Sequence, residues 1–277
     1  QGIATRRVGD WPLMGCTALH REQTEHVDGR VHELSDESPL SPARRRSASP
    51  EPWPRELRLL FVRHAQAQAK AQRVGRQQRD PALSEHGEAQ ARALAEHFEE
   101  AEEEILLLTS PMERCIRTAL PLAGRASPAL RGVICQALLC EHGYKPSDFS
   151  ADGIGQTFPS LFAAIPGRTS EFVGFDDNFD GDKDESTIQR AVVVDAWLRK
   201  ACVVWESSVI AVVSHQTFLD CLLQVIAFGD ATCWTYGSPK FTLSNTGVTE
   251  FRVGPEGVRV HMKNSIGHLS STAVTRT

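Results

Sequence analysis

From Leu57 onward, short apolar runs alternate with stretches of helical spacing. Leu57, Leu59, Leu60, Phe61 and Val62 form an unbroken apolar run, the pattern of a strand buried on both faces. Ile105 to Thr109, Val133 to Leu139 and Val209 to Val213 repeat it. Gly247 to Val253 and Val258 to Met262 are rich in β-branched residues and predict strands at the sheet edge. The intervening segments carry the helical period. A helix capped by Ser84 runs to about Phe98, with Ala91, Leu94, Ala95 and Phe98 on one face. Ser110-Pro111-Met112-Glu113 reads as a capping box with proline at the first helical position, opening a helix to about Ala123. Glu185 to about Trp205 is a long helix with Ile188, Ala191, Val192, Val194, Leu198, Ala201 and Trp205 as its apolar stripe. A further helix spans Thr217 to Phe228. Strand and helix in alternation predict an α/β fold, a mostly parallel sheet with helices on both faces.

Two regions break the pattern. Residues 1 to 55 include SDESPLSPARRRSASPEPWP, a tract of serine, proline and charge that lacks the apolar surface to offset its ordering entropy. They are expected to form a disordered N-terminal arm, with one ordered domain over 56–277. Within the arm, Arg44 to Arg46 precede Ser47 and Ser49 as a candidate kinase site, although a plain solvated tail is the favoured reading. Residues 143–184 are irregular and rich in Gly, Pro and Asp, with Phe158 to Ala164 a candidate short helix.

Composition narrows the class. The chain has 277 residues and a formal charge of -5, which gives no footprint for nucleic acid. No apolar run has the length to cross a bilayer, and no secretory h-region is present, so no membrane association is expected. The chain begins with Gln rather than Met. Its seven cysteines are scattered without a CxxC pair, and Cys115, Cys202 and Cys221 fall on buried helix faces. Reduced thiols and a cytoplasmic location are the expectation.

Four strand-to-loop junctions carry groups suited to phosphate: Arg63-His64, Ser110 through Arg114, Glu141, and His215. In a parallel sheet these junctions lie along one edge. Arg63 and Arg114 offer planar guanidinium forks to phosphoryl oxygens. The helix start near Ser110 adds free N–H groups. His64 is the candidate nucleophile, and nearby cations favour its neutral form. His215 is a further donor, and Glu141 is the candidate proton donor to the departing oxygen. The arginines neutralise charge, so no metal and no cofactor are expected, and no His/Cys cluster has metal-ligand spacing.

These residues carry a family resemblance. LRLLFVRHAQ resembles the Arg-His-Gly signature of the histidine phosphatase (phosphoglycerate mutase-like) superfamily. DPALSEHGEAQARALAEHF, LLLTSPMERCIRTA, LLCEHG, DESTIQRAVVVDAWL and VIAVVSHQTFLDCLL are similar to further segments of that family, over about Leu57 to Leu269. The resemblance implies a three-layer α/β/α sandwich around a mostly parallel sheet, phosphoglycerate mutase-like. It implies His64 as the phosphorylated nucleophile, Arg63, Arg114 and His215 completing the phosphate pocket, and Glu141 as acid/base.

The departures bear on activity. Ala65 stands where the family has Gly after the first His, and Gln216 where it has Gly after the second. The methyl of Ala65 is tolerable only where the backbone dihedrals are not positive. Gln66 and Lys70 replace an acidic residue and an Asn common in mutases, which tilts the expectation to a phosphatase. The leading expectation is therefore a metal-independent phosphatase using a phosphohistidine on a small phosphorylated substrate or phosphoprotein. Alternatives are mutase-type phosphoryl transfer and a catalytically silent phosphate-binding or scaffolding domain. Lys70, Arg73 and Arg76 read as a mouth for an anionic substrate or as a solvated basic loop. Asp176, Asp177, Asp180, Asp182 and Asp184 read as solvated, and His86, His97, His142, His261 and His268 are assigned no catalytic role. Sequence leaves the phosphoester and the oligomeric state open.

Overall fold

The structure is a computed structural model that describes residues 52–68, 80–98, 104–124, 130–144, 170–173, 184–204, 207–230 and 234–275. The kinase-site tract, the candidate helix at 158–164, Trp205, Lys70, Arg73, Arg76 and the aspartates at 176–182 lie outside the described residues.

The central sheet has seven strands. In chain order they are β1 (Leu57–Arg63), β2 (Ile105–Thr109), β3 (Leu130–Gln136), β4 (Ser170–Val173), β5 (Val209–Ser214), β6 (Val248–Gly254) and β7 (Gly257–Ser265). Their spatial order is β4-β3-β2-β5-β1-β6-β7. The pairings from β4 through β1 are parallel, while β1–β6 and β6–β7 are antiparallel, so the sheet is mostly parallel with a hairpin on one edge. The helices are α1 (Glu85–Phe98), α2 (Glu113–Gly124), α3 (Asp184–Val204) and α4 (Gln216–Phe228).

Strand periodicity builds the layers. Leu59 and Phe61 of β1, with Leu106, Leu108, Ile210 and Val212, pack on Ala191, Val194 and Leu198 of α3 and on Phe218, Leu219 and Leu222 of α4. The alternate residues Leu60 and Val62, with Leu107, Ala211 and Val213, pack on Leu94 of α1 and on Cys115, Ile116 and Ala119 of α2. The result is the three-layer α/β/α sandwich expected, with both sheet faces covered.

Several boundaries shift for physical reasons. The third strand ends at Gln136 rather than Leu139, and Ala137–Leu139 is a 3₁₀ turn. The Gln136 side-chain oxygen accepts from the Leu138 N–H (3.1 Å) and caps that turn, so an apolar run is not one strand. The capping box at Ser110 does not form. Glu113 N–H donates instead to both carboxylate oxygens of Asp80 (2.9 and 3.0 Å), and the Ser110 hydroxyl is bonded to His215. On α3, Val192 is 49% exposed, while Arg190 is fully buried in the stripe. Trp53 and Arg55, assigned to the arm by composition, belong to the packed domain. Trp53 is buried with the Arg199 guanidinium over its ring, and Arg55 Nε donates to the Cys202 carbonyl. Strand β4 arises inside the stretch read as irregular, where a four-residue edge strand leaves no periodic signal. Cys115, Cys202 and Cys221 are buried, as the helical pattern predicts, and carry no disulfide.

Candidate active site

The hydrogen-bond ladder continues past the strand ends. His64 N–H donates to the Ser214 carbonyl (2.9 Å), and Ser110 N–H to the Val213 carbonyl (3.0 Å). The junctions after β1, β2 and β5 therefore meet at one level, and the turn after β3 brings Glu141 to them. All five candidate residues come to this edge.

His64 is almost wholly buried and held on several sides. Its Nδ1 lies 2.7 Å from the Ala65 carbonyl. A carbonyl only accepts, so Nδ1 carries the proton and donates, and Nε2 is the ring nitrogen on which a neutral imidazole has its lone pair. Asn245 Nδ2 donates to the His64 carbonyl (2.8 Å) and fixes the backbone behind the ring. The His64 and His215 ring centroids are 5.2 Å apart.

His215 is fully buried at the N-cap of α4. Its Nε2 is 2.9 Å from Ser110 Oγ and 3.3 Å from Cys115 Sγ. Burial first, then the charges of Arg114, His64, Arg190 and Arg63, hold its imidazole well below the ordinary histidine range. It is neutral at neutral pH and has one N–H to give. Burial pushes the Cys115 thiol up, so a thiol rather than a thiolate faces His215.

The two guanidiniums reach the pocket from different elements. Arg63 ends β1, is buried, and donates Nη1 to the Leu243 carbonyl (2.8 Å). Burial lowers it to about 10, with Glu141 opposing the shift and Arg114 adding to it. Arg114, on the first turn of α2, sits 3.8 Å from Asp80 Oδ1, and its Nη2 is 3.3 Å from the Met112 sulfur. Burial, chiefly, raises the Asp80 carboxyl to about 6.

Glu141 is partly exposed. Its Oε1 accepts from the N–H of His142 (2.9 Å) and from the N–H of Phe218 (3.1 Å) in the first turn of α4. His142 turns aside, with Nδ1 2.9 Å from Thr187 Oγ1 and its ring stacked on Tyr236 at 4.8 Å.

Both departures from the family pattern are accommodated. Ala65 is absent from the non-glycine residues with positive φ, and its methyl packs with Leu83 and Ala91. Its N–H donates to Thr118 Oγ1 (2.9 Å), and Thr118 in turn donates to the Arg114 carbonyl (2.7 Å), which links the loop after β1 to helix α2. Gln216 turns its amide to the segment 241–243. Its Nε2 donates to the Phe241 carbonyl (2.8 Å) and its Oε1 accepts from Leu243 N–H (2.7 Å). At Gly87 a closer approach is required: a Cβ there would lie 2.0 Å from the Gln66 carbonyl oxygen.

Sequence reasoning assigned no site role to Asp80, Thr118, Arg190, Asn245 or Thr246. Thr246 is a buried non-glycine residue at φ 55 whose N–H donates to the Arg63 carbonyl (3.0 Å). A β-branched residue in that region is an outlier held by its surroundings, and nothing in a sequence window marks it.

A family model described as Histidine phosphatase superfamily (branch 1) matches residues 59–266, and the chain belongs to this superfamily. No curated protein matches it in sequence. Solved structures share its fold. The alpha-ribazole phosphatase of Shigella flexneri superposes with a TM-score of 0.53 at 19% identity, covering 76% of this chain and 96% of that one. A phosphoserine phosphatase mutant from Entamoeba histolytica, in complex with phosphoserine, gives 0.51 at 20% identity, over 77% of this chain and all of that one. A mycobacterial glucosyl-3-phosphoglycerate phosphatase gives 0.50 at 21% identity, over 76% of this chain and 100% of that one. At these identities the likeness is one of fold.

Proposed function

We propose that the protein is a metal-independent phosphomonoester hydrolase working through a phosphohistidine on His64. The observation that carries this reading is the Nδ1 contact to the Ala65 carbonyl, which leaves Nε2 as the lone-pair nitrogen in a buried pocket of cations. Phosphatases of known structure with the same fold support it.

In the first half-reaction, His64 Nε2 attacks phosphorus and the P–O ester bond breaks. The leaving oxygen takes a proton from Glu141. Arg63, Arg114 and the N–H of His215 hold the equatorial oxygens, where charge spreads in the transition state. In the second half, Glu141 takes a proton from water as it attacks phosphorus. The P–N bond breaks, His64 is restored and inorganic phosphate leaves. Fixed donors at buried positions do this without reorganising at the moment of transfer.

The substrate is a small phosphorylated compound or a phosphoprotein. The test is turnover of p-nitrophenyl phosphate by wild type and His64→Ala, with acid-labile, base-stable labelling of the protein by phosphate from the substrate. Loss of both in the variant is expected. Undiminished turnover in His64→Ala overturns the reading.

A further inference from the structure

Arg190 lies on α3 with no exposed surface. Nη1 donates to the carbonyls of Leu138 (3.0 Å) and Cys140 (2.8 Å). Nη2 donates to the carbonyl of Glu141 (3.4 Å) and to Thr187 Oγ1 (3.5 Å). Among the described residues it has no carboxylate within salt-bridge distance. A buried cation is costly to desolvate, and here carbonyl dipoles and a hydroxyl offset that cost.

The carbonyls it takes belong to the turn that ends in Glu141. The two others in that turn are also taken: Ser214 Oγ donates to the Leu139 carbonyl (2.7 Å) and Cys140 N–H to the Ala137 carbonyl (3.1 Å). Every carbonyl from Ala137 to Glu141 therefore has a donor, and three have the same one. The guanidinium carbon also lies 4.8 Å from the centroid of the Phe218 ring. Phe218 is the residue whose N–H holds the Glu141 carboxylate. Arg190 thus fixes Glu141 from both ends, its main chain directly and its carboxylate through α4.

We propose that Arg190 is a positioning residue for the acid/base Glu141, setting where the proton is delivered to the leaving group. This rests on the phosphohistidine reading and adds that proton delivery depends on a group that touches no substrate. A merely structural staple would affect all substrates alike. A positioning residue affects those whose leaving group needs the proton.

The test compares kcat/KM, which reports transfer to His64, for p-nitrophenyl phosphate and glycerol 2-phosphate. Nitrophenolate leaves without a proton; an alkoxide does not. Arg190→Met is expected to lose about 100-fold on the alkyl ester, the scale of general acid catalysis, and less than about fivefold on the aryl ester. Glu141→Gln should show the same pattern, and the double variant no further loss on the alkyl ester. Arg190→Lys should recover part of it. Phe218→Leu, which removes the ring but keeps its N–H, should show a weaker form of the same bias and serves if Arg190→Met does not fold. Equal losses on both substrates, or losses that multiply in the double variant, overturn the proposal. Turnover persisting in His64→Ala overturns the reading beneath it, a separate result.

Discussion

Gln216 and Arg63 hold the two ends of one peptide residue: Gln216 Oε1 accepts from the N–H of Leu243, and Arg63 Nη1 donates to its carbonyl. The same helix grips the segment one turn further on, where Asp220 Oδ1 accepts from the N–H groups of Lys240 (2.9 Å) and Phe241 (2.7 Å). The residue that departs from the family glycine therefore acts as a strap behind the Arg63 guanidinium. It pairs with Phe241 and Leu243 much as a neighbouring strand would.

Gln216→Ala is expected to free the Leu243 carbonyl to shift and to loosen Arg63. Two lost hydrogen bonds predict a stability loss of about 1–2 kcal/mol by urea denaturation. The KM for p-nitrophenyl phosphate should rise about fivefold to tenfold, near 1 kcal/mol of ground-state binding, with kcat changed less than about threefold. A fall in KM on removing the amide would show that Gln216 instead obstructs the pocket.

The loop after β1 yields a second expectation. Ala65 occupies a backbone conformation open to any residue, and its methyl fills a buried space beside Leu83 and Ala91. Ala65→Gly is therefore expected to restore nothing. It should cost about 1 kcal/mol through chain entropy and the lost methyl, read as a drop of a few degrees in Tm. Its kcat/KM should stay within about twofold of wild type. A tenfold gain would mean that the methyl hinders the reaction.

The outline of this fold was legible because buried parallel strands are continuous apolar runs, and β1, β2 and β5 each end in a polar group at the same sheet edge. The candidate site residues gather at that edge for the same reason: Arg63 and His64 close β1 and His215 follows β5, while Arg114 and Glu141 come one step later, on the helix after β2 and past the turn after β3. What lay hidden are partners from far along the chain. Asp80 reaches Glu113 N–H across 33 residues, and Asn245 reaches the His64 carbonyl across 181. No local period encodes those contacts. Arg190 was hidden differently: a cation inside an apolar stripe reads as solvent-facing, because only the carbonyls of a remote turn explain its burial.

Neutral His215 sets a pH dependence with a definite sign. Burial and the surrounding cations depress its folded pKa well below 6.5. Below that pH the unfolded chain takes up a proton that the folded one refuses, so stability falls as pH drops. The slope from one such group approaches about 1.4 kcal/mol per pH unit. His268, lowered to about 4, acts in the same direction, so the comparison must be with a variant. His215→Asn is expected to lose less stability than wild type between pH 7.5 and 5.5 in urea titrations. Imidazole ¹⁵N shifts of His215 should stay those of the neutral ring over the same range. A cationic His215 at pH 6 would reverse the assignment of its role as a one-proton donor.

Asp80 gives the opposite sign. Its carboxylate caps α2 through Glu113 N–H and stands 3.8 Å from Arg114, yet burial outweighs both and raises it from 3.8 to about 6. Between those values the folded protein holds a proton that the unfolded chain has released. Stability from this group is therefore full at low pH, declines as pH rises through the window, and is flat above about 6. Asn resembles the protonated carboxyl and still offers one oxygen to Glu113 N–H. Asp80→Asn should gain stability relative to wild type as pH rises from 4.5 to 7.5, read as a growing difference in Tm. A Tm difference that shrinks with rising pH would mean that Arg114 and the helix cap, rather than burial, govern the protonation of Asp80.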